Sequence, residues 1–139
     1  MKLLKITGIL FTLTLFLSTF GTKAESVWSF VGTTIPGHSQ KYYTSNHSKT
    51  IESPQYFKNI RAYDNVLWVE RNLDVQLQNR SINVNSSIEE LDTGEMATFS
   101  DSSFKQIGSY RLMLRSANPL SNDLYFNATW YLDNTVSRD

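Results

Sequence analysis

Strict alternation of apolar and polar side chains near the carboxyl terminus is the feature that most constrains how this chain folds. From Leu124 to Leu132 every second residue is apolar, and the residues between them are polar or tyrosine. A β-strand sends successive side chains to opposite faces of a sheet, so the pattern predicts a strand with one face in a core and the other in solvent. Such a strand needs partner strands to bury its apolar face.

The same alternation recurs along the chain, whereas helical periodicity is nearly absent. It predicts central strands over residues 73–77, 110–115 and 124–132, and the apolar run 66–69 predicts a fourth, more buried strand. Turn-forming residues separate these segments. Short strands with frequent turns are typical of an all-β fold, and we predict a small antiparallel two-sheet β-sandwich.

The remaining segments carry weaker patterns. Further strands are predicted over residues 27–31, 41–44, 57–63 and 95–99. Residues 86–91 fit one or two turns of helix, and the polar stretch 33–53 is predicted to be a long loop or an irregular edge.

The amino terminus carries the three parts of a secretory signal peptide: a basic start, a short apolar stretch, and small residues that end at Ala24. The alternative is an uncleaved membrane anchor, but spanning a bilayer needs about 20 consecutive apolar residues and this stretch is shorter and rich in threonine. We therefore expect a cleavable signal peptide over residues 1–24 and a single secreted, extracellular β-sandwich domain over residues 25–139. No second apolar run long enough to span a bilayer follows, so we expect no membrane insertion of the mature chain.

Charge and cysteine content narrow the partners and the sources of stability. Without Lys2, Lys5 and Lys23 the chain keeps 10 basic and 13 acidic side chains, and the basic ones are scattered singly. We therefore expect no nucleic-acid partner. Small exported domains often carry disulfides, yet no cysteine is present, so the stability must come from the hydrophobic core.

The triplet Asp92-Thr93-Gly94 is the sharpest catalytic-looking motif. Aspartic proteases carry this triplet on a loop where two carboxylates share a proton. Here Glu95 follows and places another carboxylate beside the site, which would disturb the shared proton. The same three residues also form an ordinary β-turn, and this interpretation is favoured. A small aspartic-type hydrolase remains an alternative.

No other motif indicates catalysis, metal binding or a cofactor. The two histidines, His38 and His47, fit no standard zinc spacing with Glu52 and are predicted to be solvated in a loop. Gly37-His38-Ser39 lacks the second glycine of a nucleophile elbow, and no glycine-rich phosphate loop is present. We therefore assign no catalytic, metal-binding or cofactor-binding residue and expect a protein that is not an enzyme.

The surplus of aromatic residues is the feature with binding potential. Exposed aromatic faces beside amide and hydroxyl groups can hold sugars or protein strands, although aromatic residues also pack well on strand faces. The candidate binding surface consists of Tyr125, Asn127, Thr129, Tyr131, Tyr42 and Tyr43.

The carboxy-terminal third contains the segment Gly108–Ser116 and, after an Asn-rich loop, a Trp-containing segment over residues 127–133. This arrangement resembles small, mostly uncharacterised signal-bearing proteins exported by low-GC Gram-positive bacteria. The resemblance implies a secreted β-sandwich and no established activity.

Together these observations predict a secreted, non-enzymatic protein that binds an extracellular protein or polysaccharide. One alternative is a secreted antagonist, meaning a bacteriocin-like toxin or its neutralising partner, because such proteins are equally free of motifs. The second alternative is the aspartic-type hydrolase centred on Asp92.

Overall fold

The computed structural model describes residues 27–37, 40–118 and 121–133, and the signal peptide predicted over residues 1–24 lies outside them. Short strands dominate the described ranges, with a single turn of helix before the last two strands. In chain order the elements are β1 (Val27–Ile35), β2 (Tyr42–Tyr43), β3 (His47–Lys49), β4 (Gln55–Asp64), β5 (Leu73–Asn79), β6 (Val84–Asn85), β7 (Glu89–Leu91), β8 (Met96–Phe99), α1 (Ser102–Lys105), β9 (Gly108–Ser116) and β10 (Leu124–Tyr131).

The strands form two antiparallel sheets. The four-stranded sheet has the order β1-β10-β4-β8, and the six-stranded sheet has the order β2-β9-β5-β6, with β3 also pairing β9 and β7 also pairing β5. Most neighbours are distant in sequence, as in the central pair of β4 with β10. The predicted all-β, two-sheet antiparallel fold is confirmed.

The core lies between the sheets and is built from alternate residues of the predicted central strands. On β10 the apolar side chains from Leu124 to Trp130 are all buried, and Leu132 continues the series. Tyr110, Leu112 and Leu114 of β9 face them from the other sheet and are fully buried. The alternation in β9 and β10 thus predicts the inward faces correctly, because each strand buries one face against a sheet.

The prediction of a buried strand over residues 66–69 is wrong. Val66, Leu67, Trp68 and Val69 form an exposed loop after β4, with 60%, 59%, 67% and 45% of their surface accessible. The chain turns here because the Asp64 N–H donates to the Val69 carbonyl (2.9 Å) and closes the segment into a hairpin loop. We refer to Val66–Val69 as the tip loop.

Of the two remaining weakly patterned segments, residues 86–91 differ from their predicted structure and residues 33–53 agree with it. Residues 86–91 form no helix, since β7 occupies Glu89–Leu91 and pairs with β5. The polar stretch 33–53 contributes the end of β1 and two short edge strands, β2 and β3, which agrees with an irregular edge.

On β5, Asp74 and Gln78 are buried rather than solvated, because Arg115 and Arg111 of β9 bond to them across the ladder.

A buried ion pair ties the segment after β10 to β3. Lys49, which is 1% exposed, donates from Nζ to Ser53 Oγ (2.8 Å), the Leu132 carbonyl (2.6 Å) and Asp133 Oδ1 (3.3 Å). Asp133 also accepts from the N–H and hydroxyl of Thr50. Burial lowers the pKa of Lys49, whereas for Asp133 the hydrogen bonds from Thr50 and the charge of Lys49 outweigh burial and lower the pKa.

Candidate functional site

The solvent-facing side of the four-stranded sheet carries a regular arrangement of aromatic and polar side chains along its two central strands. Residues of β10 and β4 that lie directly opposite each other form four cross-strand pairs, and their chain neighbours on β10 are buried. We refer to these eight residues as the outer strip. In order along the strands, the pairs are Tyr125 with Tyr63, Asn127 with Arg61, Thr129 with Lys58, and Tyr131 with Tyr56.

Tyrosine pairs therefore stand at both ends of the outer strip, with polar pairs between them. Tyr125 and Tyr131 are six residues apart, which corresponds to about 20 Å along a strand. Cross-strand partners on one face lie close enough for their side chains to act together. The outer strip is an elongated surface with aromatic ends and a hydrogen-bonding centre.

Two β-bulges flank the centre of the outer strip, one on each neighbour of β10. On β1 the register shifts between Phe30 and Thr33, and on β4 Ile60 is an extra residue beside the pair of Asn127 with Arg61. Bulges bend a strand and redirect its side chains, and they often lie next to functional sites. The Asn127 side chain therefore lies where both neighbouring strands depart from regular pairing.

The bulge on β1 fixes the orientation of the Asn127 amide. Gly32 adopts a φ of 59°, in the left-handed region that glycine enters at low cost, and its N–H donates to Asn127 Oδ1 at 2.7 Å. With Oδ1 bonded to the bulge, the Nδ2 group is the end of the amide that donates to other groups.

An aromatic cluster extends one end of the outer strip. The Trp68 ring stacks on Tyr63 with centroids 5.3 Å apart, and Tyr63 meets Tyr125 edge-on at 5.9 Å. The Arg61 guanidinium lies over the Tyr63 ring, 5.0 Å from its centroid. Offset-stacked, edge-to-face and cation–π geometries are attractive for such rings, so the cluster is held in a defined arrangement.

Asp64, at the end of β4, holds the tip loop in place. Its carboxylate, which is 1% exposed, accepts from the N–H groups of Val66 (2.8 Å) and Leu67 (2.9 Å) and from the Asn122 amide (3.2 Å). Hydrogen bonding from Leu67 contributes most to lowering the pKa of Asp64. The Asp64 carbonyl also accepts from the Trp68 N–H (2.9 Å), so both the side chain and the backbone of Asp64 organise this loop.

Trp68 itself has a strained backbone, with φ at 58°. A bulky residue in the left-handed region is a genuine outlier and costs roughly 1–2 kcal/mol. Strained residues of this kind cluster at functional sites, where the surrounding structure holds them. In this backbone conformation the exposed Trp68 indole lies at the end of the outer strip.

Four of the six residues predicted as a binding surface lie on the β10 side of the outer strip. Tyr125, Asn127, Thr129 and Tyr131 lie together on β10, as the alternation predicts. The β4 partners were missed because a bulge at Ile60 interrupts their alternation and because the pairing joins distant segments. The apolar run wrongly predicts a buried strand at Trp68, although the turn-forming Asp64-Asn65 just before it indicates a turn.

The other two residues of the predicted surface lie elsewhere. Tyr42 is half-buried on β2, where its ring packs edge-on against Phe126 of the core at 6.4 Å. Tyr43 is exposed on the outer face of the six-stranded sheet, with the Arg111 guanidinium 4.5 Å from its centroid. The structure therefore separates Tyr42 and Tyr43 from the outer strip.

The catalytic and metal candidates are placed as follows. Asp92, Thr93 and Gly94 form a turn in which the Glu95 N–H donates to the Asp92 carbonyl, and Gly94 has a φ of 84°. Among the described residues, no group of three or more histidine or acidic side chains could hold a metal ion. His38 lies outside the described residues.

The prediction of a solvated loop histidine is wrong for His47. It lies on β3 with its ring 4.0 Å from that of Trp28 and 5.5 Å from that of Trp130. Burial lowers its pKa. His47 thus packs between two tryptophans because β3 lies beside the core.

Comparison with known proteins gives structural neighbours only. No family model and no curated protein matches the sequence. The Yersinia pseudotuberculosis-derived mitogen is similar with a TM-score of 0.47 and 10% identity over 84% of this chain and 93% of that one. The CBM22-1–GH10 modules of Clostridium thermocellum endo-1,4-beta-D-xylanase 10B, complexed with xylohexaose, have a TM-score of 0.40 and 14% identity over 83% of this chain and 26% of that one. The Glycosylation Associate Protein (Gap123) complex from Streptococcus agalactiae has a TM-score of 0.40 and 14% identity over 82% of this chain and 43% of that one.

These likenesses all have TM-scores below 0.5 and carry no conclusion about the role of this chain. The resemblance of the carboxy-terminal third to exported proteins of low-GC Gram-positive bacteria therefore stays a prediction. In the described ranges, the structure contains no helix long and apolar enough to cross a membrane.

Proposed function

We propose that this chain is an exported, non-enzymatic protein that binds an extracellular polysaccharide along the outer strip. The observation that carries the proposal is the register of β4 and β10, which sets a tyrosine pair at each end of a polar centre. Sugar rings present apolar C–H faces and a rim of hydroxyl groups. A surface that alternates aromatic rings with hydrogen-bonding groups matches both.

The shape of the outer strip favours a polymer over a small molecule. The tyrosine pairs stand about 20 Å apart on an open sheet face rather than in an enclosed cavity. An extended chain of sugars can contact both ends at once, and its middle units can bond to Asn127, Thr129, Lys58 and Arg61.

Rigidity of the outer strip supports the same function. Its residues lie on the two central strands of the sheet, and the Trp68 end is fixed by the hydrogen bonds to Asp64. A surface that is ordered before binding loses little side-chain entropy when the ligand arrives.

The experiment is a binding titration of the purified protein against a panel of plant, bacterial and animal polysaccharides, by calorimetry. The variants Tyr63→Ala and Tyr125→Ala are expected to bind about tenfold more weakly, because loss of an aromatic residue that contacts the ligand costs about 1.4 kcal/mol. Tyr43→Ala is the matched control, an exposed tyrosine on the opposite sheet, and is expected to bind normally. Unchanged binding by both outer-strip variants would contradict the proposal.

The tip loop provides the competing outcome. Four adjacent apolar side chains exposed together are also typical of a protein-binding surface. Leu67→Ser leaves the outer strip unchanged and is expected to leave polysaccharide binding unchanged. If Leu67→Ser alone abolishes an interaction with a protein while the tyrosine variants retain it, the chain acts through the tip loop and the proposed function is wrong.

A further inference from the structure

The centre of the outer strip is rich in hydrogen-bond donors and poor in acceptors. Resting on the proposed function, we infer that the polysaccharide is anionic, with carboxylate or phosphodiester oxygens bound by Lys58, Arg61 and the Nδ2 group of Asn127. These three side chains lie on adjacent rows of the β4–β10 pairing. Asn127 is the specificity-determining residue of this group.

The charge of the outer strip is positive although the chain as a whole is not. Lys58 and Arg61 contribute its two charges, and none of its eight members is a carboxylate. A local excess of positive charge on an exposed face attracts anionic ligands even when the net charge of the protein is near zero.

Nearby carboxylates leave this charge largely available. Glu70 pairs with Arg61 at 3.8 Å, but both side chains are more than half exposed, and such pairs are weak in water. Arg61 has five N–H donors, so an anion can bind without displacing Glu70. The Glu95 carboxylate, which follows the turn before β8, is already engaged within that turn, because it accepts from the Asp92 N–H at 2.7 Å.

Asn127 adds a neutral donor at a fixed position between the cations. Its Oδ1 is held by the Gly32 N–H, so the amide cannot rotate to present its oxygen to a ligand without breaking that bond. The outward Nδ2 group has no hydrogen-bond partner among the described residues. A ligand oxygen that accepts from Nδ2 satisfies a donor that the protein already orients.

The substitution that tests this role is Asn127→Asp. The carboxylate can still accept from the Gly32 N–H, so the bulge is kept, but the Nδ2 donors are lost and a negative charge faces the ligand. Binding of an anionic polymer is expected to weaken by about a hundredfold, because a charge-assisted bond is replaced by repulsion. Asn85→Asp makes the same change of charge on β6 of the opposite sheet and serves as the matched control.

Three polymers distinguish the ligand chemistry. Polygalacturonate supplies carboxylates, its carboxyl-reduced form keeps the sugar backbone without charge, and polyglycerol phosphate supplies phosphodiesters. We expect at least one anionic polymer to bind at least tenfold more tightly than the reduced polymer. That binding should weaken as ionic strength rises from about 0.01 M to about 0.15 M, where the screening length falls from about 30 Å to about 8 Å. Lys58→Gln and Arg61→Gln should each weaken it about tenfold, and Asn85→Asp should not.

The outcomes separate this inference from the proposed function. Equal binding of the charged and reduced polymers, lost in Tyr125→Ala but kept in Asn127→Asp, would overturn the inference and support the proposed function. Binding that is unaffected by Tyr125→Ala and Tyr63→Ala would overturn the proposed function itself. No binding to either anionic polymer, with the fold intact by circular dichroism, would overturn the inference.

Discussion

The indole of Trp68 lies on the phenol ring of Tyr63, with ring centroids 5.3 Å apart and planes inclined by 19°. This contact depends on an unfavourable backbone, because Trp68 has a φ of 58° where glycine is the usual residue. Residues held in sparsely populated backbone conformations cluster at functional sites, and the Trp68 ring has 67% of its surface exposed, so Trp68 belongs to the candidate site.

Trp68 variants separate backbone strain from the function of the ring. We expect Trp68→Gly to be more stable than Trp68→Ala by about 1 kcal/mol, because only glycine relieves the left-handed conformation. Both variants lose the indole, so both should bind polysaccharide more weakly than the parent. Urea unfolding measures the first effect and calorimetry the second. Equal stability of the two variants would contradict the strain argument.

Acid should loosen the tip loop by protonating the Asp64 carboxylate, which accepts hydrogen bonds from the loop. The pKa of Asp64 is lowered in the folded state, chiefly by the hydrogen bond from the Leu67 N–H, so this carboxylate stabilises the fold at pH values above its usual 3.8. That contribution is lost as the pH falls below 3.8 towards the lowered value. The NMR signals of the Trp68 indole should therefore shift over this range in the parent. In Asp64→Asn the indole signals should differ from those of the parent at neutral pH, and they should not move as the pH is lowered. Indole signals of Asp64→Asn that match those of the parent at both pH values would refute the anchoring role.

The sequence could predict the architecture where pattern and burial coincide. Leu112 and Leu114 on β9, and Phe126 and Trp130 on β10, alternate with polar residues and lie fully buried as expected. The prediction for the tip loop is wrong because an apolar run does not by itself indicate burial. Exposed apolar side chains give the same local pattern as apolar side chains in the core.

The candidate site could be predicted only on the strand that contains a regular alternation. Asn127 and its β10 neighbours follow from period two, whereas Arg61 and Lys58 do not. Ile60 breaks the period on β4, and which β4 residue faces which β10 residue is set by pairing across more than 60 positions. That register cannot be predicted from local sequence, because the bulge and the packing of both sheets determine it.

Removal of the buried Lys49 ammonium should lower the free energy of unfolding, because Lys49 joins β3 to the segment after β10. Lys49→Met leaves the Asp133 carboxylate buried without its counter-ion, which costs about 3–5 kcal/mol. Replacing both residues with apolar ones should recover much of that loss. Arg61→Ala, which breaks the exposed pair with Glu70, is the control and should cost at most about 1 kcal/mol. A loss below 1 kcal/mol for Lys49→Met, measured by urea unfolding, would refute a structural role for the pair.

Alkaline pH should destabilise the protein through Tyr110. Its ring is fully buried, its hydroxyl donates to the Gln106 carbonyl at 2.6 Å, and burial raises its pKa to about 12. A pKa above the ordinary value of 10 means that the folded state holds the proton more tightly than the unfolded chain. The stability contribution is therefore complete below pH 10 and decreases as the pH rises from 10 towards about 12.

The control for this titration is Tyr110→Phe, which keeps the ring in the core and removes the ionisable hydroxyl. The variant should lose about 1–3 kcal/mol at neutral pH, because the Asn79 amide also donates to that hydroxyl and is left without it. Between pH 10 and about 12 its free energy of unfolding should fall less steeply than that of the parent, and the difference in slope is the contribution of Tyr110. Parallel slopes, measured by urea unfolding at matched pH values, would mean that other groups cause the alkaline loss.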